Sequence, residues 1–192
     1  MIEIEDIFQS MSSLAQQLFK LSAPTIRLGE LASVTNGNAD VQDATDTCEA
    51  GLYPFFDRSE QIKYLNSFYL DKAAIIYAGE GQNFFPRYFE GKFALHQRCY
   101  AIYNFDERAL PRYCYHFMQQ LNRYFQKTAV GSTVASLRMD NFLNAPIKLP
   151  SISTQKNITN VLDSIEDLAL VEQRLLSNYV HQRQYLLCKL FI

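Results

Sequence analysis

The sequence predicts an α+β protein: a globular domain with a mixed or antiparallel sheet and helices, followed by a long C-terminal helix. Between residues 52 and 103, short runs rich in β-branched and aromatic residues alternate with turn signals, a pattern typical of strands. The residues after Pro150 include neither Gly nor Pro and repeat apolar side chains every three or four positions, which indicates a helix. We therefore divide the chain into an N-terminal amphipathic helix (1–24), a globular domain (25–150) and a long helix (151–192).

The composition describes a folded protein of 192 residues, 48% hydrophobic and 14% aromatic. No apolar run approaches the roughly 20 residues of a membrane span, and no signal peptide opens the chain, so we expect no membrane partner. The four cysteines, at positions 48, 99, 114 and 188, show no paired spacing. Reduced thiols in a cytoplasmic protein are the simplest interpretation.

The first helix is predicted over residues 2–21, where Pro24 ends it. Its first turn carries acidic side chains, which complement the helix dipole. Packing against the globular domain is one interpretation of its apolar face, and docking onto the C-terminal helix or onto a partner is the other. The side chains of that face are Ile4, Ile7, Phe8, Met11, Leu14, Ala15 and Leu18.

Inside the globular domain we expect a new unit at 25–34, a turn-rich loop over 35–51, and then a series of strands. A helical period over 110–127 predicts one helix, with Pro111 in its first turn, where proline is tolerated. An extended run at 145–150 leads into the terminal helix. The predicted strands are 53–56, 67–70, 73–78, 93–94 and 99–103.

The C-terminal helix is predicted to begin with an N-cap at Ser153 or Thr154 and to run for about 36 residues, or about 55 Å. That length exceeds what a domain of this size covers, so we expect a second chain or a partner helix against the apolar face. Glu172 and Gln182–Arg183 interrupt the face, which favours a short, interrupted coiled coil. The alternative is a core helix of one compact globule. The residues predicted to contact the partner are Ile158, Leu162, Ile165, Leu168, Leu175, Tyr179 and Leu186.

Charge is distributed unevenly along the chain. Residues 1–51 carry two Lys/Arg against eight Asp/Glu, a balance of −6, whereas residues 52–150 carry twelve against eight, a balance of +4. A basic middle region permits a local surface that faces phosphates, although the asymmetry is a weak signal by itself.

Catalytic motifs are absent from the sequence: there is no phosphate-binding Gly-rich loop, no GxSxG and no HExxH. A zinc enzyme based on His96, Cys99, Cys114 and His116 is a weak alternative, because the spacings do not place the pairs on common faces. Buried cysteines with packed histidines are the favoured interpretation. Acidic pairs such as Asp57/Glu60 and Glu80/Glu90 are interpreted as solvated. We therefore predict no catalytic residues, no metal and no cofactor bound by this chain.

Polar and basic residues are interleaved with aromatics in three stretches of the middle region: 57–59, 83–88 and 96–98. Arginine and glutamine side chains can make paired hydrogen bonds to base edges, while Ser, Thr and Lys more often bind phosphates. For any single residue a solvated or structural role is the alternative, so the hypothesis rests on the group.

The order of motifs resembles the target-recognition domain and conserved helical spacer of the specificity (S) subunit of Type I restriction–modification systems. The resemblance runs from about Ile26 to about Leu190, and its most specific part is the loop, strand exit and helix start between Gly131 and Leu162. The motifs are LGELASV (28–34), YPFFDRS (53–59), AGEG (78–81), GKFALHQRCYAI (91–102), PRYCYHFM (111–118), GSTVASLRMDNFLNAPIKLP (131–150) and STQKNITNVLDSI (153–165).

The resemblance implies a DNA-specificity subunit without catalytic activity. In that family, two recognition domains and two antiparallel helices usually form one S subunit, which recruits two methyltransferase (M) subunits that use S-adenosylmethionine, and restriction (R) subunits join the assembly. This chain has one recognition domain and one helix. The resemblance therefore implies either a half-subunit that pairs with a second copy or another S half, or a fragment of a longer chain. Two-fold pairing would make the target an inverted repeat of two half-sites.

The resemblance also implies which residues face double-stranded DNA, because the segments DRS, AGEG and HQR match a recurring pattern in one class of these domains. Base or phosphate contact is expected from Arg58, Gln97 and Arg98. His96 is either part of this surface or a packed residue that fixes its loop. The residues expected to position the DNA backbone are Ser59, Lys63, Asn83, Arg87, Lys92 and Thr133.

Two other function classes compete with this hypothesis. One is a protein–protein adaptor with a helical arm and no DNA binding, and the other is the zinc enzyme described above. Salt-dependent binding to duplex DNA separates the adaptor from the specificity subunit, since phosphate contacts weaken steeply with salt.

Overall fold

A computed structural model describes residues 4–20, 22–131 and 133–190. The side chains of Ile4, Phe8 and Leu190, predicted to lie on apolar helix faces, are outside the described residues, as is Ser132 of the GST motif. Among the helices that are described, none combines the length and the apolar character needed to cross a membrane.

The predicted α+β class is confirmed. Five α-helices and ten strands make up the described chain: nine strands follow the first helix, three helices come next, and a last strand precedes the terminal helix, with short 3-10 turns at 28–30, 41–43 and 119–121. The elements are α1 (Ile4–Leu18), β1 (Thr25–Arg27), β2 (Ser33–Asn36), β3 (Tyr53–Phe56), β4 (Lys63–Leu65), β5 (Leu70–Asp71), β6 (Ala74–Ala78), β7 (Arg87–Phe89), β8 (Lys92–Leu95), β9 (Cys99–Tyr103), α2 (Pro111–Met118), α3 (Asn122–Thr128), α4 (Met139–Leu143), β10 (Pro146–Lys148) and α5 (Ile152–Leu190).

Two four-stranded sheets form the globular domain. One sheet is antiparallel, in the order β2-β9-β6-β7. The other has the order β4-β3-β8-β5 and is mixed, because β3 and β8 run parallel while the outer pairs are antiparallel. A separate antiparallel pair joins β1 to β10, so the beginning and the end of the domain lie side by side.

Both sheets contribute side chains to one apolar core. The cluster joins β3 and β8 of the mixed sheet to β6 and β9 of the antiparallel sheet. Strand β6 is buried on both faces, since alternate side chains of a strand point to opposite sides. On the second face Tyr77 meets Phe125 of α3 and Phe142 of α4, with ring centroids 5.1 and 5.3 Å away. The core cluster is Phe56, Ala74, Ile76, Phe93, Leu95, Cys99 and Ala101.

The chain divides into two compact units. One comprises residues 22–156, and the other combines α1 with the part of α5 from residue 157 onward. In α1 the side chains of Met11, Ala15 and Phe19 are buried, in agreement with the helical period of the sequence for Met11 and Ala15.

Along α5 the side chains change from buried to exposed. Ile158 and Leu162 are 4% and 1% exposed in the single chain, so these two predicted partner contacts are already covered and are not available to a second chain. Ile165 is half-buried, and Ala169 is the last buried residue. Every residue from 170 to 189 is exposed.

Several predicted elements are confirmed with small shifts of their bounds: the first helix, the strands at 53–56, 73–78, 93–94 and 99–103, and the terminal helix. The single helix expected over 110–127 is wrong, because α2 and α3 are separated by the 3-10 turn 119–121. Neither Gly nor Pro marks that break in the sequence. Pro111 does occupy the first turn of α2, as predicted.

The strand predicted at 67–70 is misplaced: only Leu70 lies in a strand, at the start of β5, and β4 ends earlier, at Leu65. Pairing of β4 with β3 and of β5 with β8 decides where each strand forms. The short strand β7 and the five-residue helix α4 were not predicted. Each is too short to show a period of its own, and β7 depends on pairing with β6.

The start of α5 is fixed by two polar side chains. Ser151 accepts a hydrogen bond from the Thr154 amide at 3.3 Å, so the N-cap lies two residues before the predicted Ser153. Gln155 is completely buried: its Nε2 donates to the carbonyls of Arg108 (2.8 Å) and Pro150 (2.9 Å), and its Oε1 accepts from the Leu110 amide at 2.9 Å. Because a buried amide is costly without partners, these bonds hold the first turn of α5 on the globular domain.

Replacing Gln155 by alanine tests this attachment. The substitution leaves two backbone carbonyls and one backbone amide without their partner, and we expect the free energy of unfolding to fall by about 2–4 kcal/mol. Urea unfolding followed by circular dichroism measures the change. Gln173→Ala, on an exposed position of the same helix, is the matched control and should shift stability by no more than about 0.5 kcal/mol. Equal losses in both variants would contradict the anchoring role.

Candidate nucleic-acid interface

Strand pairing brings three predicted segments to one edge of the domain. Because β3 and β8 are parallel neighbours, with Phe56 opposite Leu95, the segments that follow them, 57–59 and 96–98, leave the sheet at the same edge. In the other sheet β6 pairs antiparallel with β9, with Ala78 opposite Cys99, so the turn 79–81 lies beside the residue that precedes β9. The DRS, AGEG and HQR segments therefore converge.

Glu80 joins the three segments through its side chain. Its Oε2 accepts a hydrogen bond from Arg58 Nη1 at 2.7 Å, and its Oε1 accepts one from Arg98 Nη1 at 2.9 Å. The two arginine side chains are 53% and 58% exposed, whereas the Glu80 side chain is 20% exposed. A guanidinium has five N–H donors, so each arginine retains donors for a further acceptor.

The backbone holds the turn of Glu80 from both sides. The Gly79 amide donates to the Arg98 carbonyl at 2.9 Å, and the Gly81 amide donates to the Ala135 carbonyl at 3.1 Å. A β-carbon at Gly79 would lie 2.4 Å from the Arg98 carbonyl oxygen, so only glycine permits this approach. The Glu80 carboxylate is thus held by a fixed backbone.

Asp57 organises the segment that carries Arg58. It is 4% exposed, and its Oδ1 accepts hydrogen bonds from the Ser59 amide (2.7 Å) and hydroxyl (2.6 Å), while its Oδ2 accepts one from Lys63 Nζ at 2.9 Å. Burial alone raises the pKa of this carboxyl, but the bonds from Ser59 and Lys63 outweigh burial and hold the pKa below its usual value. Asp57 is therefore a charged support of the loop.

Arg87 supports the same loop from β7. Its Nη2 donates to the Asp57 carbonyl at 2.6 Å and its Nη1 donates to the Ser59 carbonyl at 2.9 Å. The guanidinium also lies over the Phe56 ring, 5.0 Å from its centroid. Two backbone bonds and one ring contact indicate a structural task for Arg87, in contrast to the exposed Arg58 and Arg98.

His96 fixes the loop that carries Gln97 and Arg98. Its ring is 5% exposed, and its Nδ1 accepts a hydrogen bond from the Arg98 amide at 3.1 Å. Burial lowers the pKa of His96, which favours the neutral ring that this bond requires. Cys99, the neighbour considered for zinc, packs in the apolar core. Gln97 is exposed, and its Nε2 donates to Asp40 Oδ2 at 3.4 Å.

A cleft of about 520 Å³ lies at this edge. The cleft is lined by the segments 57–59 and 79–81, by Lys63 of β4, by the 3-10 turn at 41–43 and by the loop at 134. Carboxylate, guanidinium, ammonium and hydroxyl groups share the cleft with two valines, a mixture suited to polar contacts beside an apolar wall. The lining residues are Val41, Asp57, Arg58, Ser59, Lys63, Glu80, Gly81 and Val134.

Three predicted residues do not take part in the contacts of Glu80 with Arg58 and Arg98. Lys92 begins β8 and is therefore at the opposite end of the strand from His96, with its Nζ over the Phe68 ring. Asn83 accepts hydrogen bonds from Asn122 (3.2 Å) and Gln126 (3.1 Å), which attach its loop to α3. Thr133 is exposed next to Val134 of the cleft.

The interpretation of Asp57 and Glu80 as solvated carboxylates is wrong: Asp57 is buried and pairs with Lys63, and Glu80 pairs with Arg58 and Arg98. The AGEG and DRS motifs contain them, so the motifs were a signal, although only the fold shows which cation each one binds.

Comparison with known proteins gives a consistent result. A family model described as the Type I restriction modification DNA specificity domain matches residues 23–177. The specificity subunit of the Type I restriction enzyme EcoDI from Escherichia coli is 32% identical over 150 residues, which are 77% of this chain and 32% of that protein. The chain thus spans about a third of the length of this curated relative.

Solved structures share the fold. The S subunit of a Type I restriction–modification system from M. genitalium has a TM-score of 0.66 at 18% identity and covers 84% of this chain and 46% of its own. The HsdS subunit from Thermoanaerobacter tengcongensis has a TM-score of 0.63 at 12% identity, with coverages of 90% and 46%. A chain from a structure on assembly and conformational transition of the type I R-M system has a TM-score of 0.67 at 14% identity, with coverages of 95% and 50%.

The resemblance found in the motifs is confirmed. Since the family model covers well over half of the chain, from residue 23 to residue 177, this protein belongs to the family of Type I restriction modification DNA specificity domains.

Proposed function

We propose that this chain is a non-catalytic sequence-reading subunit whose globular domain binds one half-site of a double-stranded DNA target. The observation that carries the proposal is the pair of half-exposed arginines, Arg58 and Arg98, held on the single carboxylate of Glu80. Arginine is the side chain that most often reads guanine through two hydrogen bonds, and a fixed guanidinium loses little freedom on binding.

The neighbouring residues supply the rest of the DNA-facing surface. Gln97 lies beside Arg98 on the same loop and is exposed, as a residue that reads base edges must be. Ser59 is also exposed, but its hydroxyl donates to Asp57, so its share in binding is to hold the loop of Arg58. Arg87 and Lys63 act in the same way, through the Asp57–Ser59 segment.

We propose further that α5 pairs with a second copy of this chain or with another S half. Four of the residues predicted to contact a partner, Leu168, Leu175, Tyr179 and Leu186, are between 43% and 65% exposed. They lie seven, four and seven positions apart, on one face of the helix. Isolated exposed apolar residues are common, but a stripe of this length, interrupted only at Glu172 and Gln182–Arg183, favours a helical partner. Two domains joined in this way would recognise an inverted repeat with a gap set by the helices.

Family membership supports partners beyond DNA. We propose that the paired S halves recruit methyltransferase subunits, which bring S-adenosylmethionine, and that restriction subunits join the same assembly. Co-purification with a methyltransferase encoded beside this chain tests this part of the proposal, and purification of the chain without any such subunit from its own cells would contradict it.

The double variant Arg58→Ala/Arg98→Ala tests DNA reading. Each arginine–guanine contact is worth about 1–3 kcal/mol of discrimination, so the variant should lose sequence-specific binding while its circular dichroism spectrum is unchanged. Fluorescence anisotropy with duplexes enriched by the wild-type chain measures the loss. Arg27→Ala, which removes an exposed arginine from β1, is the control and should bind like wild type. Wild-type specificity in the double variant would place the reading surface elsewhere.

Salt dependence separates DNA reading from the adaptor hypothesis. Binding to duplex DNA through phosphates should weaken as salt rises, with a linear relation between the logarithms of affinity and salt concentration. An adaptor without DNA contacts would show no such binding in any complex that it forms.

Pairing through α5 is tested by Leu175→Glu/Leu186→Glu. Charges on the apolar stripe should dissociate the pair, because they would be buried without partners. Analytical ultracentrifugation measures the mass. The matched control, Ser177→Glu/Gln184→Glu, adds the same charge on the opposite face and should leave the dimer intact. A wild-type chain that sediments as a monomer at high concentration would overturn the pairing.

The low pKa of Asp57 predicts a dependence of stability on pH. Because the folded value lies below 3.8, the stabilising contribution is complete above pH 3.8 and is lost as the pH falls through the folded value. Asp57→Asn should therefore cost about 2 kcal/mol in urea unfolding at pH 7, and the difference from wild type should shrink below pH 3.8. A constant difference across this range would show that the charge of Asp57 contributes nothing.

A further inference from the structure

Around Glu80 the positive side chains outnumber the negative ones. Two arginines share one carboxylate, while the second carboxylate of the cleft, Asp57, is fully engaged by Lys63 and Ser59. The Arg58–Glu80–Arg98 group therefore carries one net positive charge, although it displays two exposed guanidiniums.

Glu80 also sets the geometry of the two cations. Each oxygen of its carboxylate accepts from one arginine, at 2.7 and 2.9 Å, so both guanidiniums are held by one carboxylate group. Two neighbouring cations repel each other and would move apart without the anion that binds both. The carboxylate itself is held because its turn is bonded to Arg98 on one side and to Ala135 on the other.

We propose that Glu80 is a specificity-determining positioning residue: it neutralises one arginine charge and holds both guanidiniums in a reading geometry, and so suppresses binding to DNA of any sequence. The proposal rests on the proposed function. Free, mobile positive charge strengthens binding to phosphates, whereas base reading needs a fixed arrangement of donors. Glu80 neutralises one of the two positive charges and fixes the positions of the arginine donors.

The consequence for salt dependence is quantitative. Each phosphate that a protein neutralises adds about 0.9 to the magnitude of the slope of log affinity against log salt. Glu80→Gln releases one positive charge for phosphate contact, so the slope for a duplex of mixed sequence should steepen by about 0.9. Binding to that duplex at low salt should become tighter.

The consequence for selectivity has the opposite direction. Without the carboxylate of Glu80, Arg58 and Arg98 no longer bond to a common acceptor. The sequences that the chain enriches from a randomised duplex library should therefore lose base preference. Glu80→Asp keeps the charge and shortens the side chain by one methylene group. It should therefore keep the wild-type slope and lose part of the selectivity, which separates charge from geometry.

The experiment uses the full chain, with salt titrations on mixed-sequence duplex and selection from the randomised library. Glu60→Gln is the matched control. Glu60 is exposed on the loop that carries Arg58 and has the same charge as Glu80, but the two arginines bond to Glu80. It should leave the selected sequences unchanged. Adding Arg98→Gln to Glu80→Gln removes the released charge and should return the slope to the wild-type value.

The outcomes distinguish this inference from the proposed function. If the wild-type chain binds no duplex DNA, both the proposed function and the inference are contradicted. If the wild-type chain selects a sequence, and Glu80→Gln shows the same slope and the same selected sequence, only the role of Glu80 is contradicted. A steeper slope with weaker base preference, reversed in slope by Arg98→Gln, supports it.

Discussion

The parallel pairing of β3 with β8 is the constraint on which the candidate site depends. Most neighbouring strands of the two sheets are antiparallel, and an antiparallel pair sends its following segments to opposite edges. Because β3 and β8 run in the same direction, the segments after both strands emerge together, 57–59 beside 96–98. The antiparallel register of β6 with β9 then places Glu80 between them. Residues distant in sequence thus meet through backbone hydrogen bonds.

The two carboxylates of the cleft illustrate how burial assigns different tasks to similar groups. Asp57 is buried, and its bonds are directed inward to a lysine and to the loop that it holds, so it supports structure. Glu80 is partly exposed and binds two cations that face solvent. Ion pairs at exposed positions contribute little to stability, at most about 1 kcal/mol, so the fold gains little from the two Glu80 pairs.

The long helix shows a second division of tasks. Its first turn is attached to the globular domain by Gln155, whose three hydrogen bonds are made with the backbone just before α2 and just before α5. Its C-terminal half differs, since every residue from 170 to 189 is exposed, leucines and tyrosines included. Apolar surface of this extent is unfavourable in water, which gives the helix a reason to bind another helix.

The sequence by itself determined those features that depend on local periodicity or composition. The α+β class, the long terminal helix and the strands 53–56 and 99–103 follow from patterns within short stretches, because side-chain period reports the local backbone. The family resemblance follows from the order of the motifs along the chain. The motifs also indicated that the segments around Arg58, Glu80 and Arg98 belong together.

Only the tertiary structure decided which groups pair with which. The bounds of β4 and β5, the hydrogen bonds of Arg87 to the 57–59 loop, and the place of Lys92 at the far end of β8 all depend on strand register. Likewise Ile158 and Leu162 have the period of a partner interface, yet both are buried within the single chain. Periodicity gives the face on which a side chain lies, but what covers that face is set by contacts between residues far apart in sequence.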